Sequence, residues 1–325
     1  MRVLMWHVHG SWTTAFVQGD HDVVLPLAPG RGPEGRGRAQ TWDWPPNARE
    51  VPVDRLRDEQ LDCVVLQRPE EVDLCERWTG RVPGRDLPAV YLEHNTPRGP
   101  AVETQHPVVS DPRLRGVTVV HVTDFNALAW DCGDSPTMVI RHGVPDPGYR
   151  YTGRDHSVAV VVNEPVRRWR VAGTDLLLGL ASEIPVHVYG MGMQPLLAEA
   201  RRRDVGLLEV HEDVPQSELH DVLGRHRAYF HPYRWTSLGL SLIEAMMIGL
   251  PVLAVAATEA PAAVPPEVGL ASSDPRALAA QARRWLDDPI EARSRGLAGR
   301  EHARATYGLP RFLAEWDLLL KETTR

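Results

Sequence analysis

The sequence predicts an α/β protein of two domains in series, and three observations carry that expectation. At 325 residues the chain is long for one core, since a domain takes roughly 100–200 residues. Short apolar runs rich in β-branched residues alternate with helical patterns and turn residues, as buried parallel strands and their crossover helices do. After a stretch of Pro, Gly, Tyr and charged residues at 146–156 this alternation begins again, which reads as a linker. The expected organisation is a first domain over 1–150, a second over 151–309, and a final helix over 310–325 that returns to the first.

Composition narrows the class. Apolar residues make up 43% and charged residues 24%, a balance typical of a globular chain. No apolar run approaches the ~18 residues of a membrane span, and polar groups interrupt the segment before Ser11, so no signal peptide is read and a cytoplasmic protein is expected. Net charge is −7. Residues 1–150 carry 16 basic against 21 acidic side chains and the rest 20 against 22, so neither half invites nucleic acid or a polybasic membrane contact. Cys63, Cys75 and Cys132 are odd in number and far apart, without metal-type spacing, and are expected as reduced buried thiols.

In the first domain strands are expected at 2–6, 21–27, 62–66, 88–93, 117–122 and 137–140. Gly10 and Ser11 follow the first strand, where a glycine lets backbone approach a phosphate or sugar; a plain turn is the alternative. A short helix near 12–18 follows. Asp20-His21-Asp22 spells Asp-x-Asp, but ahead of a strand it reads as a solvated turn and not a metal site. The 29–37 segment reads as a loop. Trp42 and Trp44, in the TWDWPP segment at 41–46, are either an aromatic platform or core packing, with packing favoured. The 88–93 strand runs into His94-Asn95-Thr96-Pro97. Open α/β sheets place ligands just beyond the carboxyl ends of their strands, so His94, with Asn95, is a candidate for sugar hydroxyls; a turn with an Asn-based bond and a Pro stop is the alternative. Thr123 is an expected helix cap.

In the second domain strands are expected at 157–163, 185–189, 206–210, 228–231 and 252–255. Arg167, Arg168 and Arg170 crowd the loop after the first of these. Thr174 is expected to cap a helix over 174–181, and Gly190 follows the second strand. Helices are expected at 215–224, 274–286, 291–307 and 310–320, the last with Phe312, Trp316 and Leu320 on one face.

The stretch at 232–255, PYRWTSLGLSLIEAMMIGLPVLAV, organises the rest. It reads as a polar and aromatic loop, a helix over 238–248, a Gly249 stop with Pro251 after it, and a buried strand. Glu244 stands inside this helix among apolar neighbours and therefore needs a specific partner.

That stretch, with Tyr189-Gly190 and the Arg141-His142-Gly143-Val144 segment, resembles the retaining glycosyltransferases of family four. Their fold is GT-B: two Rossmann-like α/β domains facing a cleft. The likeness is good in the second half and loose in the first. It implies that Glu244 binds the nucleotide's ribose hydroxyls. The backbone of Ser237, Leu238 and Gly239 would lie near the sugar and its phosphates, helped by the positive end of the helix. Thr236 stands where the family's Glu-x7-Glu motif has its first Glu, a donor-sugar contact. The family places an Arg and a Lys on the diphosphate. Lys321 is the only lysine here, so Arg168 and Arg170, with Arg167 beside them, are the candidates. Gly10 and Ser11 correspond to the family's glycine loop, and His94 to a histidine that contacts the donor sugar.

The expected activity is transfer of a sugar from a nucleotide-diphosphate sugar to an unidentified hydroxyl acceptor, without metal or other cofactor. His94, Arg168 and Arg170 are the expected catalytic group. Two other readings stay open. Thr236 keeps alive a non-catalytic nucleotide-sugar-binding protein, and the GT-B fold also serves sugar-nucleotide epimerases.

Overall fold

A computed structural model describes residues 1–40 and 42–325; Thr41, the first residue of the TWDWPP segment, lies outside them. The chain divides into two compact units, Met1–Pro145 with Leu309–Arg325, and Asp146–Gly308.

The first unit holds seven strands: β1 (Arg2–Met5), β2 (Asp22–Leu27), β3 (Ala48–Pro52), β4 (Cys63–Leu66), β5 (Ala89–Glu93), β6 (Thr118–His121) and β7 (Thr137–Val139). They form one all-parallel sheet in the order β3-β2-β1-β4-β5-β6-β7. Side chains alternate across it. Val3 and Met5 join one core with Trp12, Phe16 and Val65; Leu4 and Trp6 join the opposite core with Val64 and Leu66. Burial on both faces is why these strands read as unbroken apolar runs.

The Leu309–Thr323 helix closes the first of these cores. Its Phe312, Trp316, Leu319 and Leu320 pack there with Trp12 and Phe16. Arg311 Nη2 donates to the carbonyls of Arg141 and His142, both at 2.9 Å. A Cβ on Gly143 would lie 2.4 Å from the Phe312 ring, so the glycine of the Arg-His-Gly-Val segment is what lets this helix seat.

The second unit holds β8 (Asp155–Val161), β9 (Val186–Gly190), β10 (Leu208–Glu212), β11 (His226–His231), β12 (Val252–Val255) and β13 (Gly269–Ser272), all parallel, in the order β10-β9-β8-β11-β12-β13. Val158, Val160, Val186, Val188, Ala228 and Phe230 face one core. Both sheets are doubly wound, with connections reversing direction between β1 and β4 and between β8 and β11.

Some expectations need correction. The edge strands β3 and β13 were not anticipated: Ala48–Pro52 contains Arg49 and Glu50, and Gly269–Ser272 is short and mixed. Helices at Glu70–Thr79 and Met193–Arg202 were also missed. Thr174 does not cap its helix. Gly173, at φ 69°, holds that place, and the Thr174 hydroxyl donates to the Pro165 carbonyl at 2.6 Å. Thr123 does cap, accepting from the Asn126 N–H at 3.0 Å. Trp44 is buried, its indole N–H on the Thr14 hydroxyl, and Trp42 packs beside that core. Asp22 is taken by Arg2 and Arg49. All three cysteines are buried and unpaired.

Candidate active site

In doubly wound sheets ligands bind beyond the strand carboxyl ends, where the winding reverses. In the second unit that crevice is flanked by the loop after β8, which carries the arginine cluster, and the loop after β11, which leads into 232–239.

Rings and one guanidinium tie these loops together. The Arg168 guanidinium carbon lies 5.3 Å from the centre of the Tyr233 ring, and the His231 ring stacks on Tyr233 at 4.7 Å. Gly239 lies against His231: a Cβ there would meet the imidazole at 2.4 Å. His231 is buried, and burial pushes its pKa down to about 3, so the ring is neutral. Burial also raises the Tyr233 hydroxyl, with Arg168 acting against that shift.

The three arginines differ. Arg167 is exposed and paired with Glu164. Arg170 is exposed and held by Asp175 at 2.7 Å, a carboxylate that Arg234 also grips, at 2.6 and 2.8 Å. Arg168 pairs with no carboxylate among the described residues. Arg234 was not singled out from the sequence, because its partner lies 59 positions away.

The helix of the central stretch runs Leu240–Met247, two residues later than expected. Gly239 is extended (φ −72°, ψ 124°) and takes the N-cap place, so Ser237 and Leu238 stay in the loop, both buried. No side chain caps this helix, and no acid occupies its first turn. The other helix starts near the crevice are occupied. Asp175 sits in the first turn of Thr174–Ala181, and the Glu212 carboxylate accepts from the N–H groups of Gly192 and Met193 ahead of Met193–Arg202. An uncapped helix start is a ready anion site.

Glu244 is one helical turn further on, its side chain 15% exposed. Its only ion-pair partner among the described residues is His220, a distant 3.8 Å away. His220 is a neighbour the sequence did not offer. Thr236 is half-buried at the mouth of the same loop. Gly190 is required sterically: at φ 141°, a Cβ would lie 2.2 Å from the Val162 carbonyl oxygen. It shapes the β8 loop and gives the Asn163 side chain its bond to the Met191 N–H, 3.0 Å.

In the first unit, Gly10 and Ser11 open the Gly10–Phe16 helix after β1, again without a side-chain cap. Protein atoms do not crowd Gly10. His94 is buried just past β5. Its Nε2 lies 2.9 Å from Gln67 Oε1, and Gln67 spends its amide N–H on the Trp6 carbonyl at 2.7 Å. That fixes Oε1 as the acceptor and His94 as the Nε2–H tautomer. Burial, with His9 and His142 nearby, holds its pKa well below 6.5.

A groove of about 450 Å³ opens on the other side of Asp175, lined also by Leu176, Leu180, Phe230 and Leu278. It contains none of the predicted residues, and chemistry is better served by the strand ends.

With this geometry in place, comparison with known proteins defines the class. Residues 174–288 match the family model described as glycosyl transferases group 1. Among solved structures, sucrose-phosphate synthase from Thermosynechococcus elongatus superposes with a TM-score of 0.76 at 15% identity, covering 99% of this chain and 98% of that one. Anabaena HepE, solved with UDP, superposes at 0.73 and 13% identity, covering 99% and 100%. The avilamycin glycosyltransferase AviGT4 gives 0.63 at 13%, covering 99% and 98%. No curated protein sequence matches significantly. The fold is GT-B, two Rossmann-like units, and the class that the family match defines, glycosyl transferases group 1, is carried by residues 174–288. More particularly, the chain carries a group 1 glycosyltransferase domain in its second unit. No helix among the described residues is long and apolar enough to cross a membrane.

Proposed function

We propose that this glycosyltransferase takes a nucleoside-diphosphate sugar as donor, binds the nucleotide at the crevice of its second unit, and transfers the sugar with retention to a hydroxyl acceptor. The observation that carries this is the pairing of a guanidinium that no carboxylate among the described residues neutralises with a helix start that no side chain caps. Arg168 and the Gly239–Leu240 turn are joined through Tyr233 and His231 and flank the same reversal of the sheet. Both are donors suited to a diphosphate. Glu244, short of strong partners, is suited to the two ribose hydroxyls. HepE, solved with UDP-glucose, makes a UDP-sugar the first donor to test.

In the proposed step, the bond between the sugar's anomeric carbon and the diphosphate oxygen breaks. Arg168 and the helix N–H groups stabilise the negative charge that gathers on the leaving group. The acceptor oxygen bonds to the same face of the sugar, and its proton passes to a departing phosphate oxygen. The products are a glycoside and a nucleoside diphosphate. These donors serve the leaving group without a metal ion. Ser237, Leu238 and Gly239 supply backbone near the phosphates, and Thr236 offers one hydroxyl to the donor sugar. Gly190 keeps the β8 loop in shape. Arg170, committed to Asp175, and Arg167, committed to Glu164, provide outlying charge. In the first unit, Gly10 and Ser11 offer an open helix start, and neutral His94 acts by orienting hydroxyls rather than by donating a proton.

Incubation with a panel of nucleotide sugars tests this reading. Transfer, or slow donor hydrolysis, supports it. Interconversion of sugars would make the protein an epimerase. Binding without any product would place Thr236 in a non-catalytic protein.

A further inference from the structure

We propose that His187, Glu209 and His211 form a binding site for a divalent transition-metal ion of the zinc type, on the second sheet and apart from the donor crevice. The three come from neighbouring parallel strands. Glu209 pairs with His187 and His211 with Tyr189, so all three side chains point to one face. The flanking Val186 and Val188 point to the other, into the core.

The geometry suits a small cation. His187 Nδ1 and His211 Nε2 are 3.1 Å apart. The Glu209 carboxylate lies 3.5 Å from His187 Nε2 and 3.8 Å from His211 Nε2. One ligand atom from each residue falls within 4.8 Å of the others. Ligands at about 2.0–2.1 Å from a tetrahedral zinc sit roughly 3.3 Å from one another, so small side-chain adjustments complete the set. Two imidazoles and one carboxylate favour zinc, copper or nickel over magnesium or calcium, which prefer all-oxygen shells.

The rings are held from beneath. Tyr189 stacks on His211 at 4.5 Å, and its hydroxyl meets His226 Nε2 at 2.7 Å. His226 Nδ1 is fixed by the Ser157 hydroxyl at 2.7 Å, and its ring packs 4.7 Å from His187. The pairing of β11 with β8 shifts register between His226 and Ala228, so His226 leaves the valine-lined core that Ala228 joins. The His187 and His211 side chains remain 23% and 29% exposed, which leaves an entry path and a fourth position for water. A bound ion would clamp the edge strand β10 to β9, a strand otherwise secured on one side only. His187 precedes Gly190 by three residues, about 10 Å of strand, so the ion is structural and takes no part in the transfer step.

The test is calorimetric titration of the full, untagged, chelator-stripped chain with Zn²⁺. One tight equivalent is expected, with a Kd near or below about 1 µM, and melting should rise with Zn²⁺ but not with Mg²⁺. His187→Asn and His211→Asn should each weaken that equivalent roughly tenfold or more, and Glu209→Gln severalfold. Replacing zinc by Co²⁺ should give the visible bands of a tetrahedral site, lost in His211→Asn. Should His187→Asn fail to fold, the more exposed His211→Asn and Glu209→Gln carry the decision. Absence of a tight equivalent in the native chain, or the same affinity in these variants, would overturn the proposal.

Discussion

Arg168 lies over Tyr233, its guanidinium carbon 5.3 Å from the ring centre, and this contact links the loops that leave β8 and β11. Tyr233 covers one face of the cation and its hydroxyl takes one guanidinium N–H, which leaves the remaining N–H groups for a ligand. Arg168→Ala should therefore weaken a nucleoside diphosphate by the strength of a charged hydrogen bond, about 1.5–3 kcal/mol or roughly 10- to 150-fold. Affinity for the bare nucleoside should hardly change. Equal losses for both ligands, read by calorimetry, would mean that Arg168 does not touch phosphate.

Arg170 gives the contrasting result. Asp175 already holds it, and Arg234 shares that carboxylate. Arg170→Ala should alter nucleoside-diphosphate affinity by less than about threefold, the scale of an exposed ion pair. A loss as large as that of Arg168→Ala would put both arginines on the diphosphate.

The returning C-terminal helix should be stability-critical. Phe312 is fully buried against Trp12 and fits the space left by Gly143. Phe312→Ala should cost about 3–5 kcal/mol in urea unfolding. Gly143→Ala should destabilise as well, because its new methyl meets the Phe312 ring. Small effects from both would show that the helix contributes little.

Stability should fall in mild acid. Burial depresses His121 to about 4 and His142, His226 and His231 to about 3. Each is neutral when folded, whereas its unfolded form takes up a proton near pH 6.5. Their contribution is complete above about pH 6.5 and is lost progressively as pH drops toward 3. Glu71 runs the other way. Burial raises its carboxyl to about 7, so its contribution weakens as pH climbs from about 4.5 to 7. These histidines, with His94 lowered in the same direction, outweigh the one raised carboxyl and predict a net rise in unfolding free energy from pH 4.5 to 6.5. A flat or falling profile over that range would contradict the buried neutral histidines.

Reading the chain alone recovers most interior strands, because burial on both faces writes itself as runs such as VVLPL and CVVL. The edge strands escape, since an edge need not be apolar: Arg49 and Glu50 lie in β3 and engage Asp22 and Arg31. Glu244 was conspicuous as a lone acid in an apolar helix. Which arginine lacks a carboxylate partner was not legible, because Arg167, Arg168 and Arg170 are alike until Glu164 and Asp175 claim two of them. The helix starts at Leu240 and not at Leu238 because Gly239 is extended, at φ −72° and ψ 124°, a conformation that the apolar pattern does not announce. The His187, Glu209 and His211 group needs the pairing of two strands and has no signature along one.

The central claim is that a nucleoside diphosphate binds beside Glu244. Calorimetric titration of UDP, GDP, ADP and TDP into the native chain and Glu244→Ala tests it most directly. At least one nucleotide should bind the native chain. The variant should lose two charged hydrogen bonds to ribose, about 3–6 kcal/mol, which is a rise in Kd of more than about 100-fold. Unchanged affinity for every nucleotide, or no binding by the native chain, would contradict the account.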